Sequence, residues 1–136
     1  MRAMSETKLF ERSKLDKKFL WNSESVFKDT DAWKAEYESL KAALPGLAAR
    51  AGTLAAGGAK GLADTIELLL GLLKRTGRLY IYASMSQAVD TGDTVAQGMN
   101  GQAGGLFGQY QASASFLDPE LLTIGKDRLE AWLKAV

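Results

Sequence analysis

An all-α domain is the fold class this sequence predicts: an antiparallel bundle of four or five helices behind an extended amino-terminal arm. Apolar residues recur at spacings of three and four through most of residues 29–136, the period of a helix face. Asp, Pro and Gly clusters interrupt that pattern where helix caps and turns are needed. The one β-favouring tetrapeptide, Leu79 to Tyr82, falls on helical stripes that begin well upstream, so helix outweighs its local propensity. With 136 residues and 46% hydrophobic content, the chain has the size and the material for one core.

Residues 1–28 carry no sustained period and form the arm, with Phe19, Leu20, Trp21, Val26 and Phe27 as apolar punctuation. Residues 29–136 form the helical domain. Asp29, Thr30 and Asp31 offer N-caps for a first helix, whose face is Trp33, Tyr37, Leu40, Leu44 and Leu47. Pro45 lies inside that pattern and predicts a kink or a restart. Residues 52–61 are rich in Gly and Ala and read as a connector. From Leu62 a long helix follows with two stripes: Leu62, Ile66, Leu69, Leu73, Tyr80 and Ser84, and beside it Leu68, Leu72, Leu79 and Tyr82. Two stripes imply burial against more than one neighbour.

Asp90-Thr91-Gly92 spells the active-site triplet of aspartic proteases. At the end of a long helix, and followed by Asp93, it has the composition of a turn and an N-cap. A catalytic triplet needs a β-rich loop and a second aspartate close enough to share a proton. Hydrolysis through Asp90 in a homodimer is the remaining alternative, which an Asp90→Asn variant of full activity would dispose of.

In the next segment Gly98, Gly101, Gly105, Gly108, Ala112 and Ser115 are spaced three, four, three, four and three. On a helix they make one groove without side chains, opposed by a stripe of Val95, Met99, Ala103, Leu106, Tyr110 and Leu117. Four interior glycines forfeit roughly 4 kcal/mol of helix propensity. Close approach of a second backbone, or of Tyr80 and Tyr82, is the compensation expected; the alternative is a flexible Gly-rich loop. Gln97, Asn100, Gln102, Gln109 and Gln111 make the segment too polar to span lipid. Asp118-Pro119-Glu120 then reads as a helix start, with Asp118 as N-cap and Glu120 facing the dipole. After Gly125 a last helix carries Leu129, Trp132 and Leu133. Its pattern reaches Val136 without a cap signal, so a longer parent chain is expected.

Composition narrows the chemistry. There is no histidine and no cysteine, which removes Ser-His, Cys-His and thiolate mechanisms and any His-ligated zinc. A net charge of +1 supplies no field for nucleic acid or an anionic membrane, and no apolar run reaches spanning length. A reducing cytoplasm fits the missing cysteine. Gly52 to Gly57 with Lys60 approaches a phosphate-binding loop, but the Lys is displaced and a helix precedes it. The pairs Glu36/Glu38, Asp64/Glu67 and Asp90/Asp93 gather no ligand cluster. Trp21, Trp33 and Trp132 read as core or interface anchors, since no basic groove accompanies them.

Taken in order, Phe19-Leu20-Trp21-Asn22, the Asp-rich cap before Ala32-Trp33, Leu44-Pro45, Gly77-Arg78-Leu79-Tyr80-Ile81-Tyr82-Ala83-Ser84, Asp90-Thr91 and Ser115-Phe116-Leu117-Asp118-Pro119-Glu120-Leu121-Leu122 resemble the amino-terminal region of the oligoendopeptidase F family of zinc metallopeptidases. The resemblance covers nearly the whole chain and rests on packing and capping motifs. It implies a mostly helical, cytoplasmic parent that cleaves oligopeptides in a closed channel. Its H-E-x-x-H helix and third zinc ligand lie in a later domain, so no catalytic, cofactor or metal residue carries over here. The glycine groove departs from the bulkier residues expected in the family at that place. The chain alone is expected to be inactive, with zinc held only by the parent. Its partner is the missing catalytic domain or a second copy, the latter if it is a free-standing module dimerising through the small-residue face. Gly98, Gly101, Gly105, Gly108, Ala112, Tyr80, Tyr82 and Trp33 are the structural or interface candidates.

Overall fold

The computed structural model describes residues 10–135; the first nine residues of the arm and Val136 lie outside the described residues. Five helices occupy them: α1 (Thr30–Ala48), α2 (Leu54–Val89), α3 (Thr94–Ala114), α4 (Leu117–Ile124) and α5 (Lys126–Lys134). The described residues contain no strand. Short turns reverse the chain between the long helices, so the bundle is antiparallel as the sequence predicts.

Helix α1 starts where its cap sits, with the Asp29 carboxylate accepting from Ala32 N at 2.8 Å. Trp33, Leu40, Leu44 and Leu47 are buried, and Tyr37 stacks on Trp33 with ring centroids 5.6 Å apart. Of the kink or restart predicted at Pro45, the restart does not occur: the helix is continuous to Ala48. A proline forfeits one backbone hydrogen bond, and buried Leu44 and Leu47 hold the turn on either side of it.

The predicted connector over 52–61 is mostly helix. α2 begins at Leu54, which is buried and so fixes the start, and Gly58 alone interrupts it at φ 66° and ψ −163°. Alanine favours helix over linker, and a left-handed residue of this kind suits glycine. The second stripe of α2 faces the core through Leu72, Leu79 and Tyr82, joined by Thr65 and Thr76, which apolar periodicity does not register. The first stripe lies on the flank, with Leu73 and Tyr80 exposed.

The arm is not simply extended. It makes three single 3₁₀ turns, Arg12–Lys14, Lys17–Phe19 and Ser23–Ser25, and packs Trp21, Val26 and Phe27 against the core. From α3 come Met99, Ala103, Leu106 and Tyr110, which face α1 and α2 and close the core. Each large apolar side chain sealed there contributes about 1.5–3 kcal/mol. Helix α4 starts two residues earlier than predicted, with Phe116 rather than Asp118 at the N-cap position. The α4–α5 pair, separated by Gly125 at φ 84°, lies against the first half of α2 and buries no residue completely.

Candidate functional site

Each candidate residue has a definite place. Trp33 is fully buried, and its indole Nε1 donates to the Leu79 carbonyl oxygen at 2.9 Å. That bond pins α1 to the second half of α2. Tyr82 lies within the core margin, with Phe27 edge-on at 5.4 Å and Trp21 at 5.9 Å. Burial, and secondarily the charge of Asp29, raises its pKa above the ordinary tyrosine value. Tyr82 is thus the anchor that holds the arm. Tyr80 points outward and begins an aromatic series with Phe107 at 6.2 Å and then Tyr110 at 6.2 Å. Tyr110 is buried, which raises its pKa, and its hydroxyl donates to the Leu69 carbonyl oxygen at 3.1 Å.

The glycine stripe is a helix, not a loop, yet it faces solvent. Gly98, Gly101, Gly105, Gly108 and Ala112 are all exposed. A Cβ added at any of these glycines meets nothing within 4 Å outside its own helical turn. The expected approach of Tyr80 or Tyr82 to this groove is therefore absent within the chain. Both tyrosines lie on α2, which α3 meets through its other face. The sequence pairs the right residues into stripes, and the small stripe is the one turned away from α1 and α2.

The two tempting chemical motifs resolve into structure. Asp90 Oδ1 accepts from Gly92 N at 3.0 Å, and Asp93 Oδ1 accepts from Val95 N at 2.8 Å and Ala96 N at 3.1 Å. That is a turn followed by a helix cap, exposed and flanked by helices. At the start of α2, the amides that resemble a phosphate cradle are already taken. The Glu120 carboxylate accepts from Gly52 N and, at 3.3 Å, from Leu54 N. Lys60 is turned to Asp64 at 2.7 Å. Glu120, read from sequence as serving its own helix, instead caps another one 66 residues away.

Glu120 is one of two polar clamps on the α4–α5 pair; the other is Arg128, which donates to the Ala55 carbonyl oxygen at 2.9 Å. Between them an apolar hollow of about 360 Å³ opens against α2, lined by Leu62, Ile66, Leu121, Leu129, Trp132 and Leu133. A line of exposed apolar residues continues along α2 through Leu70, Leu73, Tyr80, Ile81 and Met85. The sequence gives no sign of either clamp, because contacts across such separations leave no local pattern. It also misses a cationic groove of about 860 Å³ where the arm, α1 and α2 meet. There Arg75 makes a two-pronged pair with Glu36, at 2.7 and 3.0 Å, and hydrogen bonding to Glu36 raises its pKa.

A metal centre needs three or four convergent donors. The sequence offers neither imidazole nor thiolate, and among the described residues no three carboxylates gather. The donor set does not fit zinc. Nor is any helix among the described residues long and apolar enough to cross a membrane.

The described residues form an all-helical bundle, and the relatives of the chain are bacterial oligopeptidases. No protein-family model matches the chain. It is 33% identical to oligopeptidase PepF of Bacillus subtilis over 123 residues, 90% of this chain and 18% of that protein. It is 28% identical to the group B oligopeptidase PepB of Streptococcus agalactiae over 122 residues, 90% of this chain and 20% of that protein. The crystal structure of oligoendopeptidase-F from Enterococcus faecium superposes with a TM-score of 0.72 at 27% identity, covering 79% of this chain and 21% of that one. The chain belongs to the oligoendopeptidase F family and corresponds to its amino-terminal region. It spans about a fifth of the length of these relatives.

Proposed function

We propose that this chain is the non-catalytic amino-terminal helical domain of an oligoendopeptidase F-like zinc metalloendopeptidase, forming a wall of the channel in which short peptides are hydrolysed. One observation carries the reading: the likeness spans 90% of this chain and only 18% of PepF, while the chain has no histidine. A part that resembles a peptidase so well and holds no zinc donor set serves the reaction from outside the reacting centre. The exposed apolar line from Leu70 to Met85 supports this reading, since such surfaces are normally covered by a partner. In this proposal the cover is the remainder of the peptidase, the compartment is the cytoplasm, and the role is steric: folded proteins are excluded and short peptides oriented.

The test is reconstitution. The chain is mixed with a PepF variant lacking the matching segment, and cleavage of a quenched fluorescent oligopeptide is followed. The mixture should cleave and the chain alone should not. Turnover by the chain alone, or a truncated PepF indifferent to its presence, would sink the proposal.

The open glycine face favours one second reading, a free-standing module that forms a homodimer through α3. Sedimentation equilibrium decides it. A dimer dissociated by Gly101→Leu supports this reading, and a monomer at every concentration ends it.

A further inference from the structure

We propose that the groove between the arm, α1 and α2 is a docking site for an acidic, extended peptide segment. Lys28, Lys74, Arg75 and Arg78 line it against the single carboxylate of Glu36, on a chain whose total formal charge is only +1. Positive charge is thus gathered here and offset elsewhere, which is the complementarity an acidic partner requires.

The two arginines are held in place before any partner arrives. Arg75 bonds both oxygens of Glu36 and donates to Ser39 Oγ at 2.9 Å. Arg78 donates to the Val26 carbonyl oxygen and lies over the Phe27 ring, 5.2 Å from its centroid. Fixed guanidinium groups lose little rotamer freedom on binding and keep spare N–H donors for a carboxylate. Neither Lys28 nor Lys74 has a carboxylate within 4 Å among the described residues. Between the two helices, Ala32, Ala35 and Gly71 leave the wall low, and a Cβ at Gly71 would meet nothing within 4 Å. A peptide backbone can therefore lie close while its acidic side chains reach the cations on either side.

Nucleic acid suits this groove less well. Single strands bind through aromatic faces along a continuous basic track, and here Arg78 already covers the Phe27 ring. The docking is independent of the peptidase proposal, because it is a property of this surface by itself.

Fluorescein-labelled hexaglutamate is the probe, titrated with the 136-residue chain and read by anisotropy. Saturable binding that weakens with added salt is expected. The double variant Lys28→Glu/Lys74→Glu should weaken it about tenfold, since two attractive contacts become repulsive. The charge-matched control Lys41→Glu/Lys134→Glu, away from the groove, should change it by less than about twofold. Circular dichroism verifies that both variants fold. Absence of saturable binding, or equal losses in the two doubles, overturns the proposal. So does tighter binding of an oligothymidylate of equal charge that the first double also abolishes.

Discussion

The three-helix bundle and the α4–α5 pair are built on different principles. In the bundle, Trp33, Leu40, Leu79 and Leu106 are sealed at 1% exposure or less, and one buried indole hydrogen bond locks the crossing of α1 and α2. The pair buries no residue completely, leaves Leu122 at 82% and Leu133 at 77% exposure, and is attached through Glu120 and Arg128. One region is stabilised by complete apolar burial, the other by partial apolar burial and two polar clamps beside an open hollow. Such regions open at different free energies, and the surface-attached unit opens first.

The hardest way to break this contrast is Trp33→Ala. It removes a large buried side chain and leaves the core with a cavity, at a cost of about 3–5 kcal/mol. Urea unfolding followed by circular dichroism should show a midpoint collapse or no cooperative transition. A loss below about 1 kcal/mol would mean that α1 does not depend on its anchor.

The reverse change tests the outer face of α3. Gly101→Ala with Gly105→Ala should stabilise the chain by about 2 kcal/mol, because each added methyl gains helix propensity and meets no neighbour within 4 Å. The melting temperature should rise. A fall would show that something covers this face in solution, which is the condition the homodimer reading needs.

Smallest and most local is Glu120→Ala. Its carboxylate leaves Gly52 N and Leu54 N without a partner, and an N-terminal cap of this kind contributes about 1 kcal/mol. Amide hydrogen exchange should accelerate in α4 and α5 and at the start of α2, while amides of α1 and α3 keep their protection. Uniform acceleration throughout would erase the distinction between the two regions.

Most of the fold was legible because helices write their burial into sequence with a period. The stripe of Trp33, Leu40, Leu44 and Leu47 and that of Met99, Ala103, Leu106 and Tyr110 are the core, and Asp29 and Asp93 are the caps. Legibility failed where a residue's role is set by a distant element. Glycines at helical spacing state that a face is bare, not which side it is on. Glu120 has the composition of a first-turn acid, and only the approach of α4 to the start of α2 gives it another employment. The cations of the groove come from the arm and α2, so no single segment of sequence contains the site. At Pro45 a helix restart fails to appear because Leu44 and Leu47 beside it are buried, whereas the 52–61 stretch is mostly helix and keeps one break, at Gly58.

The unequal placing of the three tryptophans gives the molecule its own optical reporter. Trp33 is shielded completely, while Trp21 on the arm and Trp132 in the last helix keep partial access to water. The emission spectrum therefore combines a short-wavelength contribution from the interior with a longer-wavelength one from the periphery. A soluble quencher should remove the second while leaving the first, so detachment of the periphery and melting of the interior can be watched separately in one cuvette without a label.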